Sequence, residues 1–153
     1  MICVIQRVKS AEVSVEGKTV GKCNNGLLIL ICAVKGDTED IATKMAAKIL
    51  KMRIFEDQNG KMNLSPVDVG ATALAISNFT LAASCRRGTR PDFFAAEGPV
   101  LANELYEKTV NALRQGGLIT ETGVFGADMQ ITPVLDGPVT IILDSEKDLS
   151  HTS

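Results

Sequence analysis

Eight consecutive residues constrain the fold of this chain more than any other stretch. Leu27-Leu28-Ile29-Leu30-Ile31-Cys32-Ala33-Val34 is continuously apolar and rich in β-branched side chains. A strand of that kind is central in a sheet and covered on both faces. The segments before it read as its partners. Ile2 to Val8 is short, apolar and β-branched, and Ala11 to Glu16 alternates apolar with polar side chains, as a strand with one wet face does. Gly17-Lys18 reads as a hairpin turn into Thr19–Lys22, and Asn24-Asn25-Gly26 as a second turn.

Helical signals come next. Gly36-Asp37-Thr38 offers an N-cap, Glu39 and Asp40 suit a first helical turn, and Ile41, Met45, Ile49 and Met52 recur at helical spacing. The methionines read as core filler. Arg53-Ile54-Phe55 and Met62-Asn63-Leu64 read as short extended pieces around an Asp57–Lys61 turn. A loop bracketed by Pro66 and Gly70 leads to the buried strand Ala71–Ile76. Ser84 to Gly98 is the least regular part. Pro99 to Leu113 reads as a second helix ended by Gln115-Gly116-Gly117. Thr120 to Gly126 is polar and turn-rich, and Asp128–Val134 and Val139–Leu143 read as strands.

The expectation is one mixed α/β domain over residues 1–145, with two main helices on a strongly curved, largely antiparallel sheet, barrel-like or two-layered. Residues 146–153 are expected to form a polar, mobile tail. A chain of 153 residues with 45% hydrophobic and 22% charged residues has the composition of an ordinary soluble domain. It has no run long and apolar enough to span a bilayer and no secretory leader pattern, so a cytoplasmic location is expected, without membrane contact.

Function is constrained by what is scarce. The single histidine, His151, lies in the polar tail, which removes most serine–histidine, cysteine–histidine and zinc chemistry. Cys3, Cys23, Cys32 and Cys85 have no metal-ligand spacing and read as structural or incidental. A net charge of −2 argues against broad binding along a nucleic-acid backbone and leaves room for a local basic pocket.

Three stretches can carry chemistry. Ser77-Asn78-Phe79-Thr80 follows the buried strand and precedes a basic loop. With no base near Ser77 or Thr80 in sequence, backbone N–H groups around Phe79 and Thr80 are better placed to polarise a carbonyl than either hydroxyl is to attack one. Arg86, Arg87 and Arg90, shaped by Gly88 and Pro91, read either as a solvated loop or as a phosphate clamp. Gly137-Pro138 stands directly before an apolar strand. It reads either as a strand-entry turn or as a cis peptide whose carbonyls form a rigid acceptor site for an ammonium group.

Together these stretches resemble the D-aminoacyl-tRNA deacylase family. The likeness runs through Met1–Val8, Lys51–Leu64, Ser77–Ala82, Arg87–Pro91, Gly126–Gln130 and Asp136–Thr140. The family pattern S-Q-F-T-L has Asn78 at its glutamine, and N-x-G-P-V-T has Leu135 at its asparagine. The resemblance implies a homodimer that hydrolyses the ester of D-aminoacyl-tRNA, and of mischarged glycyl-tRNA, at two interfacial sites. Ser77, Asn78, Phe79 and Thr80 would form the catalytic wall. Gly137-Pro138 of one subunit would hold the α-amino group in the other's pocket and leave no room for an L side chain. Backbone amides, the adenosine 2′-OH and water would carry out the hydrolysis, although an older proposal for the family makes the threonine, here Thr80, a nucleophile. Arg86, Arg87 and Arg90 would meet the tRNA 3′ end. No metal or organic cofactor is implied, and no DNA is required. Two other readings stand beside this one: an L-selective sister deacylase with a trans Gly-Pro bond, and a non-catalytic module that binds nucleic-acid ends.

Overall fold

A computed structural model describes residues 1–149; residues 150–153, with His151 and the end of the expected tail, lie outside the described part. The chain runs β1 (Ile2–Val15), β2 (Lys18–Cys23), β3 (Gly26–Cys32), α1 (Glu39–Leu50), β4 (Phe55–Glu56), β5 (Met62–Leu64), β6 (Thr72–Ser77), a 3₁₀ turn (Phe79–Ala82), α2 (Pro99–Gln115), β7 (Ile119–Thr122), β8 (Gln130–Asp144) and α3 (Ser145–Asp148). No helix among the described residues is long and apolar enough to cross a membrane.

Where the alternation pattern predicts two strands at the start, there is one. Lys9 and Ser10 stay extended because Ser10 pairs with Val134 of β8. Register shifts on either side of Val8 bend β1. One edge of β1 carries β8 along its length, from Ile2↔Asp144 to Ser14↔Gln130. The other edge carries β3 beside Ile2–Val8 and then β2 beside Ala11–Val15. The bend also redistributes side chains between two cores. Cys3 and Ile5 join the cluster under the helices, whereas Val8, Ala11 and Val13 join a second cluster with Cys23, Leu28, Leu74 and Ile76.

The sheet runs β2-β1-β3-β6-β7, with β8 also on β1, and comes close to closing. At the closure Lys22 N donates to Glu121 Oε1 at 3.1 Å. A Cβ at Gly21 would lie 2.3 Å from Thr122 O, so only glycine lets β2 approach β7 this closely. All pairs made by β1 are antiparallel, but β3–β6 and β6–β7 are parallel. Hairpin spacings carry no signal for those pairs, which need crossovers; α1 and α2 supply them. β7 itself falls in a stretch that reads as polar and turn-rich. Its Thr120 is buried, with Oγ1 donating to Leu118 O at 2.8 Å, so a polar strand satisfies its own hydroxyl.

Thr38 caps α1, its Oγ1 accepting from Ile41 N at 3.2 Å. Met45 and Ile49 of α1 pack with Leu105 and Leu113 of α2 over Ile5, Ile29 and Ile31. Asp37 has a different task from helix capping. It takes the Met1 ammonium at 2.8 Å, and that ammonium also donates to Ser145 Oγ at 2.7 Å. Ser145 is therefore buried, and residues 145–148 form a helical turn against the core where composition alone reads as a tail.

Candidate active site

The three parallel strands end on the same side. Beyond Cys32 of β3, Ser77 of β6 and Thr122 of β7 the chain opens a cavity of about 720 Å³. In α/β folds ligands bind outside the carboxyl ends of parallel strands, where the crossover loops diverge. Here the walls are Cys32-Ala33, Ile76 to Thr80, the Phe93–Ala102 approach to α2, and the loop Phe125–Met129 with Ile131.

Ser77, Asn78, Phe79 and Thr80 all line this cavity. The backbone leaves the strand at Asn78 (φ −146°, ψ 90°), whose N–H donates to Ile31 O at 2.8 Å, and then enters the 3₁₀ turn. The first N–H groups of such a turn have no partner within it. Among the described residues, those of Phe79 and Thr80 find no acceptor elsewhere. The Thr80 hydroxyl donates to Asn78 Oδ1. An amide oxygen is too weak a base to take that proton, so the contact orients Thr80 without activating it. Phe79 is half exposed, its ring edge-to-face on Phe93 with centroids 5.2 Å apart. The Cys32 thiol also lines the cavity and contacts Phe79 O at 3.5 Å; burial pushes its pKa up, so it is a poor nucleophile.

Phe93, Glu97, Phe125 and Asp128 complete the walls, and sequence reasoning assigned them no role. The Gly126–Gln130 motif was the available signal for Asp128; nothing local marked Glu97 or Phe93. Glu97 Oε1 accepts from Gly98 N at 2.8 Å, at the start of α2. Among the described residues no group of three His, Cys, Asp or Glu side chains is gathered as a metal site requires.

Gly137-Pro138 lies elsewhere. Its peptide bond is cis and sits inside β8, which is one continuous strand where two were expected. It does not line the cavity of its own chain. Val134 and Leu135 beside it are about half exposed. The segment is held by a residue that sequence reading passed over. Buried Arg7 donates through Nη1 to Ile54 O at 2.8 Å and through Nε to Asp136 O at 3.2 Å, with Asp136 Oδ2 at 3.3 Å. Arg7 thus ties the residue before Gly137 to the chain between α1 and β4.

Arg86 and Arg87 line a second cavity, of about 470 Å³, with Ser84, Asp92 and Phe94. Arg90 is exposed on the same loop and lines neither cavity. The loop is pinched at its base, where Ser84 and Asp92 exchange two backbone hydrogen bonds of 2.9 Å. Among the described residues no carboxylate lies within ion-pair distance of any of the three guanidinium groups.

Fold and site together define a small mixed α/β protein with a near-closed sheet and a ligand cavity walled by backbone and hydroxyl groups. Comparison with known proteins narrows this class. The D-Tyr-tRNA(Tyr) deacylase family profile matches residues 4–144. The chain is 52% identical over 145 residues to a D-aminoacyl-tRNA deacylase of Paracoccus denitrificans, covering 95% of this chain and 97% of that one. It is 52% identical over 147 residues to a D-aminoacyl-tRNA deacylase of Thermosipho africanus, covering 96% and 99%. The chain belongs to the D-aminoacyl-tRNA deacylase family.

Among solved structures, one titled c-Myc DNA unwinding element binding protein superposes with a TM-score of 0.88 at 36% identity, over 94% of this chain and 98% of the other. Another, of a probable eukaryotic D-amino acid tRNA deacylase, has a TM-score of 0.79 at 14% identity over 93% and 97%, and shares the fold.

Proposed function

We propose that this protein is an enzyme, a cytoplasmic hydrolase that cleaves the ester of D-aminoacyl-tRNA and releases free tRNA and the D-amino acid. Mischarged glycyl-tRNA is a second substrate, because glycine has no side chain to exclude. The observation that carries this reading is identity of about half, over nearly the full length of both chains, to D-aminoacyl-tRNA deacylases.

The ester sits in the larger cavity with its carbonyl oxygen toward the free N–H groups of Phe79 and Thr80, which stabilise the developing oxyanion. Water, aided by the adenosine 2′-OH, attacks; Thr80 positions and does not add covalently, since among the described residues its hydroxyl's acceptor is Asn78 Oδ1, too weak a base to activate it. Arg86, Arg87 and Arg90 take the phosphates near the tRNA 3′ end.

Rejection of L-amino acids falls to Gly137-Pro138 of a second subunit. The spacing on β8 supports a homodimer. Ile131 lines the cavity, and Gly137 lies six residues farther along the same extended strand. At roughly 3.3 Å per residue that is at most about 20 Å, and neither Gly137 nor Pro138 lines the cavity of its own chain. The exposed apolar residues Val134 and Leu135 give a second copy a surface to cover. The test is deacylation of D-Tyr-tRNA against L-Tyr-tRNA by the purified protein. Fast loss from the D form alone is expected; equal, slow loss from both refutes the reading.

A second reading, binding of nucleic-acid ends without turnover, draws on the basic loop and on the 36% identical structural relative, a c-Myc DNA unwinding element binding protein. It expects affinity for RNA ends with no deacylation.

A further inference from the structure

Phe94 is the most exposed of the large apolar side chains, at 77% of its surface. An aromatic ring left in water is usually on a floppy loop or awaiting a partner. This one is not on a floppy loop. Phe94 stands at the tip of a turn closed by Ala96 N donating to Phe93 O at 3.0 Å. The turn is fixed from both sides. On one side Asp92 is bridged to Ser84, and Asp92 Oδ1 accepts from Phe94 N at 3.4 Å. On the other, Lys35 N donates to Ala95 O at 2.9 Å and Glu97 N donates to Ala33 O at 3.0 Å, tying the turn to the end of β3. The backbone that carries the ring is held on both flanks, so little backbone freedom remains to be lost on binding.

Its neighbours indicate what it meets. Phe93 lines the larger cavity and Phe94 the smaller, so consecutive residues bridge the two. The smaller cavity adds Ser84 and Arg86 and Arg87, which no carboxylate among the described residues pairs. An aromatic face beside unpaired guanidinium groups is how proteins hold single-stranded nucleic acid: bases stack on the ring and phosphates meet the cations. Asp92 is the one acid in that cavity, and its Oδ1 is engaged by the turn.

We propose that Phe94 is a stacking platform for an unpaired nucleobase just 5′ of the esterified terminal adenosine, with Arg86 and Arg87 taking the phosphates of the same segment. The assignment of the ester to the larger cavity rests on the functional reading above; the stacking itself does not need turnover. Because every base has a π face, the contact strengthens binding of a single-stranded end without reading its sequence.

The test uses the intact protein and two labelled RNA hairpins, one with an unpaired ACCA 3′ end and one blunt, followed by fluorescence anisotropy. Phe94→Ala should weaken binding of the overhang hairpin about ten-fold, and Phe94→Trp should restore it. The blunt hairpin should not respond to either change. Arg86→Ala and Arg87→Ala should each flatten the salt dependence by roughly 0.7 in log–log slope. A change under about two-fold on the overhang hairpin, or equal weakening on both hairpins, overturns the proposal. So does a shift in oligomeric state with Phe94→Ala, which would make the ring part of a protein interface. Deacylation of D-Tyr-tRNA is measured alongside. If the overhang responds as expected but no ester is cleaved, the deacylase reading fails and the platform stands; if ester is cleaved and Phe94→Ala is silent, the reverse holds.

Discussion

Replacing Arg7 with methionine removes a buried cation whose hydrogen bonds join three parts of the chain. The Nη1 bond to Ile54 O is 2.8 Å and buried; the Nε bond to Asp136 O is 3.2 Å and partly buried. A hydrogen bond from a charged donor contributes about 1.5–3 kcal/mol, and an unpaired buried carbonyl costs about 1–3 kcal/mol. The ion pair with Asp136 adds little, because that carboxylate is 38% exposed and solvent screens it. Methionine refills most of the space and recovers part of the loss. The net expectation is a destabilisation of about 3 kcal/mol, which for a domain of this size lowers Tm by roughly 6–12 °C. Urea unfolding followed by circular dichroism measures it, with the m-value unchanged if only the native state is affected. Asp136→Asn keeps the Asp136 carbonyl and should cost no more than about 1 kcal/mol. A loss below about 1 kcal/mol for Arg7→Met, or a larger loss for Asp136→Asn, would refute the clamp. The same variant bears on function. Freeing Asp136 loosens Gly137-Pro138, so the ratio of D to L deacylation rates should fall even where the protein remains folded.

Four other outcomes follow from the geometry. Gly137 has φ +150°, and a Cβ there would lie 2.3 Å from Val139 N, so Gly137→Ala must shift backbone; a loss of about 1–3 kcal/mol and a reduced D to L rate ratio are expected, and an unchanged ratio would count against the motif's role. Thr80→Val should lower kcat about ten-fold if water attacks, against a loss on the order of 10⁶ if Thr80 were the nucleophile, which single-turnover kinetics would separate. Tyr106 is the only tyrosine, and burial raises its pKa to about 12. Its tyrosinate absorbance should rise about two pH units above a free tyrosine; since the folded pKa exceeds the unfolded value near 10, its contribution to stability is complete below about pH 10 and is lost as pH rises through 12. Burial lifts the Cys3 thiol to about 12 and Cys23 to about 11, and raises Cys32, while Cys85 is exposed. Alkylation of the native protein near about pH 8 should therefore label Cys85 first, as peptide mass mapping would show.

Much of this was legible locally. The 3.6-residue spacing of Ile41, Met45 and Ile49 predicts a helix with a buried face, and α1 buries Met45 and Ile49. The unbroken apolar run at Leu27 predicts a strand covered on both faces, and β3 faces the helices on one side and the inner cluster on the other. Ser77–Thr80, which lines the larger cavity, stands out in the sequence because Ser77, Asn78 and Thr80 follow a buried apolar strand. Where local reasoning failed, pairing was responsible. β1 and β8 each read as two strands because their middles, Lys9-Ser10 and Leu135–Pro138, carry no apolar alternation; Ser10 is kept in the ladder by Val134 and Leu135 by Val8, while the register breaks between Leu135 and Thr140 and the Arg7 side chain holds Asp136 instead.

Side-chain periodicity thus determined which residues form strands and helices and which of their faces turn inward, since each of those choices depends on neighbours a few residues away. Tertiary structure alone decided that β3, β6 and β7 run parallel and end together, and so that Cys32, Thr80, Phe93 and Asp128 surround one cavity. It also decided that Arg7, an ordinary cation in sequence, is buried and holds Asp136. Those outcomes depend on which strand lies beside which, and a pattern of period two is the same for every partner a strand can take.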